Sequence, residues 1–187
     1  PGPSGSGKDT VVKRLIERHP GIELSVSATT RVPRPDETDG EHYHFITKEE
    51  FEEHIARGEL LEYAQYVGNY YGTLKSEVDK RIGAGVTCVL VIEVEGAAQI
   101  RALYPDATMV FLLPPSLEEL ERRLRGRGTE SEEWMQKRLQ RAEHEMLLAN
   151  SYDYQLVNEN ADACADELYA ILCRRQAQAA APEQLQK

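Results

Sequence analysis

Apolar side chains recur at helical spacing soon after the start of the chain. Four of them would share one face of a helix: Val11, Val12, Leu15 and Ile16. The pattern predicts a helix over residues 7–20, which begins directly at a glycine-rich loop and ends before Gly21.

The next segment alternates with a period of two. Residues 22–30 have apolar side chains at every second position, which predicts a strand. Residues 30–45 contain too much Pro, Gly and Asp for regular structure. Thr47 and Glu50 form a capping-box pattern, which predicts a helix through about residue 56. A strand and a turn are predicted over residues 59–73.

Strands and helices alternate more clearly in the second half. Residues 86–94 form a near-continuous apolar run, typical of a strand buried in a parallel sheet. A helix over 96–105 and a strand over 108–114 are predicted to follow. Further predicted elements are a helix over 117–128 with a Ser116/Glu119 capping box, a long amphipathic helix (131–151), a strand (152–158), a helix (165–175) and a frayed tail (176–187). This order predicts a three-layer α/β fold with a mostly parallel sheet, whose ligands bind at the carboxyl ends of the strands.

Composition narrows the class of protein. The 187 residues, 41% of them hydrophobic, suffice for one well-packed domain. No apolar run approaches the roughly 18 to 20 residues of a membrane span, so no membrane partner is expected. Three cysteines without metal-ligand spacing fit a reducing cytoplasm. The net charge of −10 opposes binding to nucleic acid, so an anionic ligand should be small and bound locally.

The glycine-rich loop has the spacing of a nucleotide-phosphate site. Gly2, Gly7 and Lys8 match the pattern GxxxxGK, and Gly5 leaves the backbone free to turn its amides inward. Those amides, the N-terminus of the next helix and the ammonium group suit the β- and γ-phosphates of a nucleotide. The pattern usually ends in Ser or Thr, whose hydroxyl binds Mg²⁺, but Asp9 stands at this position.

Two other segments concentrate positive charge. Arg31 and Arg34 lie three residues apart around a proline, and their forked donors suit a doubly charged phosphate, although a solvated loop explains the segment equally well. Residues 122–128 are also basic, and taken alone they are equally explained as an exposed helix face.

Four segments in this order resemble guanylate kinase, and the bacterial enzymes in particular: GPSGSGK, SVSATTRVPRPDETDGEHYHF, GELLEYAQYVGNYYGT and RLRGRGTESEEWMQKRL. The resemblance covers essentially the whole chain. It implies a P-loop kinase fold and an enzyme that transfers the γ-phosphoryl group of ATP to GMP or dGMP with Mg²⁺. The implied single domain has a core (1–27, 86–120 and 150–175), an inserted GMP-binding region (28–75), a helical lid (about 121–145) and the tail (176–187).

The resemblance also implies roles for particular residues. The implied ATP site comprises Gly2, Pro3, Ser4, Gly5, Ser6, Gly7, Lys8, Asp9, Thr10, Arg123 and Asn158. The implied GMP site comprises Ser27, Arg31, Arg34, Glu37, Tyr43, Phe45, Glu62, Tyr71, Thr73 and Glu93, with Arg31, Arg34, Tyr43 and Tyr71 binding the phosphate. The implied catalytic cations are Lys8, Arg31 and the lid residues Arg127 and Arg138.

The chemistry of guanine supports one assignment separately. Guanine presents N1–H and an exocyclic amine side by side, a donor pair that a carboxylate such as Glu62 accepts together and that adenine lacks. A site built on such bonds rejects an analogue by roughly 10⁴-fold, because its polar groups would be left unpaired. The alternative is that Glu62 is a solvated acid on a strand.

The sequence departs from the family pattern near the expected metal site. The family usually has an acid in place of Val91, Asp in place of Glu93 and Gln in place of Glu95. One usual carboxylate is therefore missing, whereas Asp9 adds one beside the phosphate loop. We expect Asp9 or Glu93 to place Mg²⁺ through water. The competing interpretation is that Asp9 only repels ATP.

A second departure concerns the start of the sequence. Guanylate kinases have an apolar strand immediately before the phosphate loop, whereas this sequence begins at Pro1. We therefore expect the chain to be a fragment of a longer protein, or not to be stable as an independent enzyme.

Two other functions fit parts of the sequence. Guanylate-kinase-like domains of scaffold proteins bind phosphorylated peptides in the same cleft, but their phosphate loops are commonly degraded, unlike the loop here. A P-loop kinase for a phosphorylated sugar would not need Glu62 and Tyr71 together. The sequence does not indicate the oligomeric state.

Overall fold

A computed structural model describes residues 1–126 and 132–180 of the chain. The helices are α1 (Lys8–Arg18), α2 (Lys48–Ala56), α3 (Lys75–Gly83), α4 (Val94–Leu103), α5 (Leu117–Arg125), α6 (Glu132–Leu147) and α7 (Ala161–Ala180), with a 3₁₀ turn at Ala149–Ser151. The strands are β1 (Ile22–Leu24), β2 (Ala28–Thr29), β3 (His44–Phe45), β4 (Leu60–Tyr66), β5 (Asn69–Leu74), β6 (Thr87–Val89), β7 (Val110–Leu113) and β8 (Tyr154–Val157). The predicted α/β class is confirmed.

The strands form parallel pairs in the core and a mostly antiparallel sheet beside it. β1 pairs with β6 and β7 pairs with β8, both parallel. The second sheet has the order β3-β2-β5-β4, in which β2 and β3 are parallel while β5 is antiparallel to both β2 and β4. This sheet lies within the region predicted to bind GMP.

Helix α1 has the amphipathic character that the sequence predicts. Its residues Val11 and Leu15 are buried with Leu112 of β7, Leu156 of β8 and Ile171 of α7. Burying side chains of this size contributes roughly 1.5 to 3 kcal/mol each. The packing fixes the N-terminus of α1, and with it the preceding glycine-rich loop, against the ends of β7 and β8.

Two predicted strands differ from the structure. The alternating segment 22–30 is two short strands in different sheets, because the chain crosses between them: the Ser25 amide bonds to the Val89 carbonyl (2.9 Å), whereas the Ser27 carbonyl accepts from His44 (2.9 Å). The apolar run 86–94 is a strand only at Thr87–Val89, and its last residue begins α4. Partial burial explains why this run is apolar, and a buried segment need not be a strand.

An apolar groove of about 320 Å³ separates the two parallel pairs. It is lined by β6 on one side, by β7 on the other and by the apolar face of α1. The chain entering the glycine-rich loop follows the β7 side, since the Pro1 carbonyl accepts a hydrogen bond from the Leu112 amide (2.8 Å). The expectation of an additional strand before Pro1, and of instability without it, stays a prediction.

The C-terminal helix is longer than expected. The predicted frayed tail began at residue 176, but α7 continues to Ala180. The Gln176 amide donates to the Thr87 hydroxyl (3.1 Å), which ties this turn to β6. Residues 181–187 lie outside the described part of the chain. Among the residues that the structure describes, no helix is both long and apolar enough to span a bilayer.

Candidate active site

The glycine-rich loop requires glycine where its backbone turns into α1. Gly7 has φ +93°, and a Cβ atom there would lie 2.3 Å from the side-chain nitrogen of Asn158. That nitrogen donates to the Ser6 carbonyl (2.8 Å), and Arg123 donates to the same carbonyl (3.3 Å). Asn158 and Arg123 therefore contact the loop through its buried Ser6 carbonyl.

The first residues of α1 place charge at the mouth of the loop. The Lys8 ammonium donates to the carbonyl oxygens of Gly2 and Pro3 and so lies across the loop. Asp9 and Thr10 are exposed in the first helical turn, and both line the same cleft as Lys8. Both signs of charge are thus present within one turn of the helix N-terminus.

The paired arginines are oriented by one acid. Glu37 accepts from the guanidinium of Arg31 (2.7 Å) and from the backbone amide of Arg34 (2.8 Å). Burial alone would raise the pKa of Glu37, but these hydrogen bonds outweigh it and keep the pKa below its ordinary value. Glu37 is therefore an anionic support for the two arginines, rather than a residue on the wall of the cleft.

Aromatic rings surround the Arg31 guanidinium. It lies 5.6 Å from the Tyr43 ring centroid and 5.7 Å from that of Phe45. Tyr43 meets Tyr71 edge to face at 6.1 Å. Burial and the nearby Asp9 carboxylate raise the pKa of Tyr43, so its hydroxyl stays a neutral donor. Tyr43, Tyr71 and the Arg31 guanidinium thus line the same cleft.

Glu62 is a buried carboxylate on β4. It is 3% exposed and accepts a hydrogen bond from the Thr73 hydroxyl (2.6 Å), which lies opposite it in the β4–β5 hairpin. Burial raises the pKa of Glu62 to about 7, against the opposing effect of this hydrogen bond. A Cβ at Gly96 would lie 1.9 Å from Oε2 of Glu62, so the glycine leaves room for the carboxylate. The solvated-acid alternative for Glu62 is wrong.

A second carboxylate borders the cleft at the start of α4. Glu93 is the N-cap residue of this helix and lines the cleft beside Val91 and Ile92. Its Oε2 atom is buried and has no hydrogen-bond partner among the described residues. A buried, unsatisfied carboxylate oxygen is costly unless a donor or cation meets it.

Helix α6 contributes the predicted lid arginine. The Arg138 guanidinium donates to the hydroxyl of Ser4 in the glycine-rich loop (3.0 Å) and to that of Tyr66 on β4 (3.0 Å). The other predicted lid arginine, Arg127, lies outside the described residues.

One cleft of about 150 Å³ brings most of the predicted site residues together. The predicted residues that line it are Ser4, Gly5, Gly7, Lys8, Asp9, Thr10, Ser27, Arg31, Arg34, Tyr43, Glu62, Tyr71, Glu93 and Arg138. The predicted residues outside its lining are Gly2, Pro3, Ser6, Glu37, Phe45, Thr73, Arg123 and Asn158. Several of the latter contact a lining residue directly, as Thr73 contacts Glu62.

Sequence reasoning did not single out Tyr66. It lines the cleft, and its hydroxyl accepts a hydrogen bond from Arg138. Alternation along β4 places Glu62, Ala64 and Tyr66 on one face, so the period of the strand was a signal that could have identified it.

Comparisons with known proteins agree with this geometry. The family model described as guanylate kinase matches residues 1–175. A guanylate kinase of Trichormus variabilis is 51% identical over 91% of this chain and 86% of its own length. One of Thermobifida fusca is 52% identical over 91% of this chain and 87% of its own.

A solved structure gives the same result. The crystal structure of guanylate kinase from Anaplasma phagocytophilum matches with a TM-score of 0.77 at 34% identity, over 90% of this chain and 81% of that one. The family model covers most of the chain, and both the curated relatives and the solved structure match it over about nine tenths of its length. The chain belongs to the guanylate kinase family.

Proposed function

We infer that this protein transfers the γ-phosphoryl group of ATP to GMP, giving ADP and GDP. The observation that supports this most directly is the single cleft in which Lys8, Arg31 and Glu62 all face the same space. Such a cleft offers a cation to each of two phosphate groups and a buried acceptor to a base. Family membership supports the same reaction.

The phosphate loop is the proposed donor site. The loop amides and the N-terminus of α1 would bind the ATP phosphates. On binding, the Lys8 ammonium would exchange its two loop carbonyls for phosphate oxygens, a stronger charge-assisted contact. Arg138 already bonds to Ser4 of this loop and would add a second cation. Arg123 and Asn158 would support the loop from behind.

The acceptor site is proposed on the opposite wall. The GMP phosphate would be bound by Arg31, Arg34, Tyr43 and Tyr71, and Ser27 lines the same cleft. Glu62 would accept guanine N1–H and the exocyclic amine together, with its geometry fixed by Thr73. A base contact of this kind does not involve the sugar, which is why dGMP is included as a substrate.

Phosphoryl transfer needs positioning and charge neutralisation rather than a covalent catalyst. Charge spreads over the equatorial oxygens of the moving group, so fixed cations lower its free energy more in the transition state than in the ground state. Lys8, Arg31 and Arg138 line the cleft from three different parts of the chain, and in this proposal they would surround the moving group. Arg127, in the proposed lid, would be a fourth cation.

The carboxylates of the cleft fit a hydrated Mg²⁺ ion. Mg²⁺ prefers oxygen ligands and retains several waters, so one or two carboxylates suffice. Asp9 is exposed at the phosphate loop, and the Glu93 Oε2 atom has no partner among the described side chains. We propose that these residues place Mg²⁺ through water. The ion would neutralise charge on the ATP phosphates.

Replacing Asp9 by serine tests this proposal. We expect Asp9→Ser to raise the Mg²⁺ concentration needed for half-maximal rate by about threefold to tenfold, because a water-mediated carboxylate contact is lost. Steady-state rates measured against free Mg²⁺ at saturating ATP and GMP give this value. Asp79→Ser, on exposed α3, is the matched control. An unchanged Mg²⁺ requirement together with a lower KM for ATP would contradict the proposal and support simple repulsion.

The buried carboxylate predicts a pH dependence of GMP binding. Only ionised Glu62 accepts both guanine donors, and its pKa in the free protein is about 7. GMP affinity should therefore be full above pH 8 and fall below pH 7, by about tenfold for each pH unit well below the pKa.

A variant separates this titration from that of the GMP phosphate. Thr73→Val removes the hydroxyl that stabilises ionised Glu62, so the pH at which affinity begins to fall should move upward. The titration of GMP itself is the same for both proteins. Calorimetric Kd values for GMP from pH 5.5 to 9 give the midpoint of the affinity loss for the wild type and for Thr73→Val. Equal midpoints would contradict the assignment of this titration to Glu62.

The other two functions have less support. A sugar phosphate offers no N–H pair to Glu62, and a phosphopeptide-binding module needs no lysine in a phosphate loop. Formation of ADP from ATP only when GMP is present distinguishes kinase activity from both.

The remaining expectations are part of the proposal. We propose that the chain is divided into a core, a GMP-binding region and a lid with the bounds given in the sequence analysis. We also propose that the protein is cytoplasmic and has no nucleic-acid partner.

A further inference from the structure

Tyr66 ends the strand that also contains Glu62. Its side chain is only 9% exposed and lies on the cleft face of β4, four residues from Glu62 and therefore on the same side of the strand. Its ring meets that of Tyr71 edge to face at 6.5 Å. Tyr66 is thus held at the end of the cleft where GMP is proposed to bind.

Tyr66 contacts the lid helix through Arg138. The Arg138 Nε atom donates to the Tyr66 hydroxyl (3.0 Å), while its Nη2 atom donates to the Ser4 hydroxyl (3.0 Å). A guanidinium is planar, so two hydrogen bonds from different nitrogen atoms constrain its orientation. One of these hydrogen bonds is to Tyr66 on the GMP side of the cleft, and the other is to Ser4 in the phosphate loop.

A second arginine of α6 determines the position of the Tyr66 ring. The Arg141 guanidinium lies 4.7 Å from the ring centroid, within the range of a cation–π contact. Arg141 is itself paired with Glu145 on the same helix (2.7 Å) and with Glu95 on α4 (3.0 Å). The ring therefore packs against an arginine that is anchored at two other points.

We propose that Tyr66 is a positioning residue that directs Arg138 at the transferred phosphoryl group. The proposal rests on the role given to Arg138 under the proposed function. Glu62 and Tyr66 belong to one strand, so Tyr66 fixes the position of the Arg138 guanidinium relative to the base-binding carboxylate of Glu62. Tyr66 acts through Arg138 and touches neither substrate in this account.

Removal of the Tyr66 hydroxyl alone is the first test. Tyr66→Phe keeps the ring, whose centroid lies 5.7 Å from the Arg138 guanidinium and 4.7 Å from that of Arg141, but removes the hydroxyl that accepts from the Arg138 Nε atom. We expect kcat to fall about tenfold, the scale of a lost hydrogen bond to a charged group. The KM for GMP and the melting temperature should stay at their wild-type values.

A matched control lies on the same strand. Tyr63 has its side chain on the opposite face of β4, is 39% exposed and lies outside the cleft. Tyr63→Phe should keep the wild-type kcat. A general disturbance of β4 would raise the KM for GMP in Tyr66→Phe, since the strand contains Glu62. A fall in kcat accompanied by such a rise and by a lower melting temperature would overturn the positioning role.

A double-mutant cycle tests whether Tyr66 acts through Arg138. Arg138→Ala should lower kcat by about 10²-fold to 10³-fold, and adding Tyr66→Phe to it should cause no further fall. Independent, multiplicative losses would overturn the proposal.

The single variants also distinguish failure of the proposed role of Arg138 from failure of the proposed role of Tyr66. If Arg138→Ala keeps the wild-type kcat, the phosphate-binding role of Arg138 fails, and the positioning role fails with it. If Arg138→Ala loses activity while Tyr66→Phe keeps it, only the positioning role of Tyr66 fails.

Discussion

Lys8→Met is expected to lower kcat about 10³-fold while leaving the fold intact. The Lys8 ammonium donates to two carbonyls of the glycine-rich loop, and in the proposed reaction its contribution would grow as charge develops on the moving group. Methionine keeps a similar length and apolar stem. Among the residues that the structure describes, the ammonium donates to the Gly2 and Pro3 carbonyls and forms no salt bridge, so no ion pair with them is lost on substitution. Single-turnover rates with ATP and GMP measure the effect directly.

The control for this variant lies on the same helix. Lys13 is exposed on α1, and its ammonium is 4.0 Å from Glu17, a surface pair that contributes little. Lys13→Met should keep the wild-type rate. A Lys8→Met protein that melts normally and retains more than a tenth of the wild-type kcat would contradict the role of Lys8.

Glu62→Gln is expected to lower kcat/KM for GMP about 10³-fold to 10⁴-fold. Glutamine keeps one acceptor oxygen but turns an N–H group toward the guanine donors, so a buried polar group is left unpaired. Glu59→Gln, an exposed change just before β4, is the matched control and should retain full activity.

The same substitution should not destabilise the protein at neutral pH. The folded-state pKa of Glu62 is raised to about 7, so ionisation of this carboxyl reduces stability as the pH rises from about 4.5 through 7. The neutral amide removes that loss and keeps an acceptor for Thr73. A melting temperature at pH 8 equal to or above that of the wild type is expected. A large drop would mean that Glu62 is structural.

Local patterns predicted the elements that depend on local physics. The apolar stripe of α1 and the Thr47/Glu50 capping box are both confirmed, the latter with both of its reciprocal hydrogen bonds. At Ser116 the structure has one half of the predicted box, the bond from the Glu119 amide. Caps and helix faces involve residues three to four apart, which a sequence displays directly.

Strand partners were not predictable in the same way. The segment 22–30 alternates continuously, yet its two ends pair with β6 and with β3 and β5. Alternation reports which side is buried, whereas the choice of sheet depends on where distant strands lie. The same reason explains why the apolar run 86–94 is only partly a strand.

In the candidate site, too, local motifs were predictable from the sequence and long-range contacts were not. The glycine-rich loop and the paired arginines are compact sequence motifs, so the sequence alone identifies them as candidates. The resemblance implied both Glu62 and Thr73, but their hydrogen bond follows from the register of a hairpin. Arg138 and Tyr66 are 72 positions apart, and only the tertiary structure brings them together.

In the proposed function, one cleft selects guanine and delivers a phosphoryl group from ATP. ATP-dependent formation of ADP with GMP, IMP and AMP as acceptors tests it most directly, because IMP retains N1–H but lacks the amine and AMP lacks the donor pair. We predict that kcat/KM falls from GMP to IMP to AMP, with AMP about 10⁴-fold below GMP. Turnover of AMP within tenfold of GMP would contradict the account.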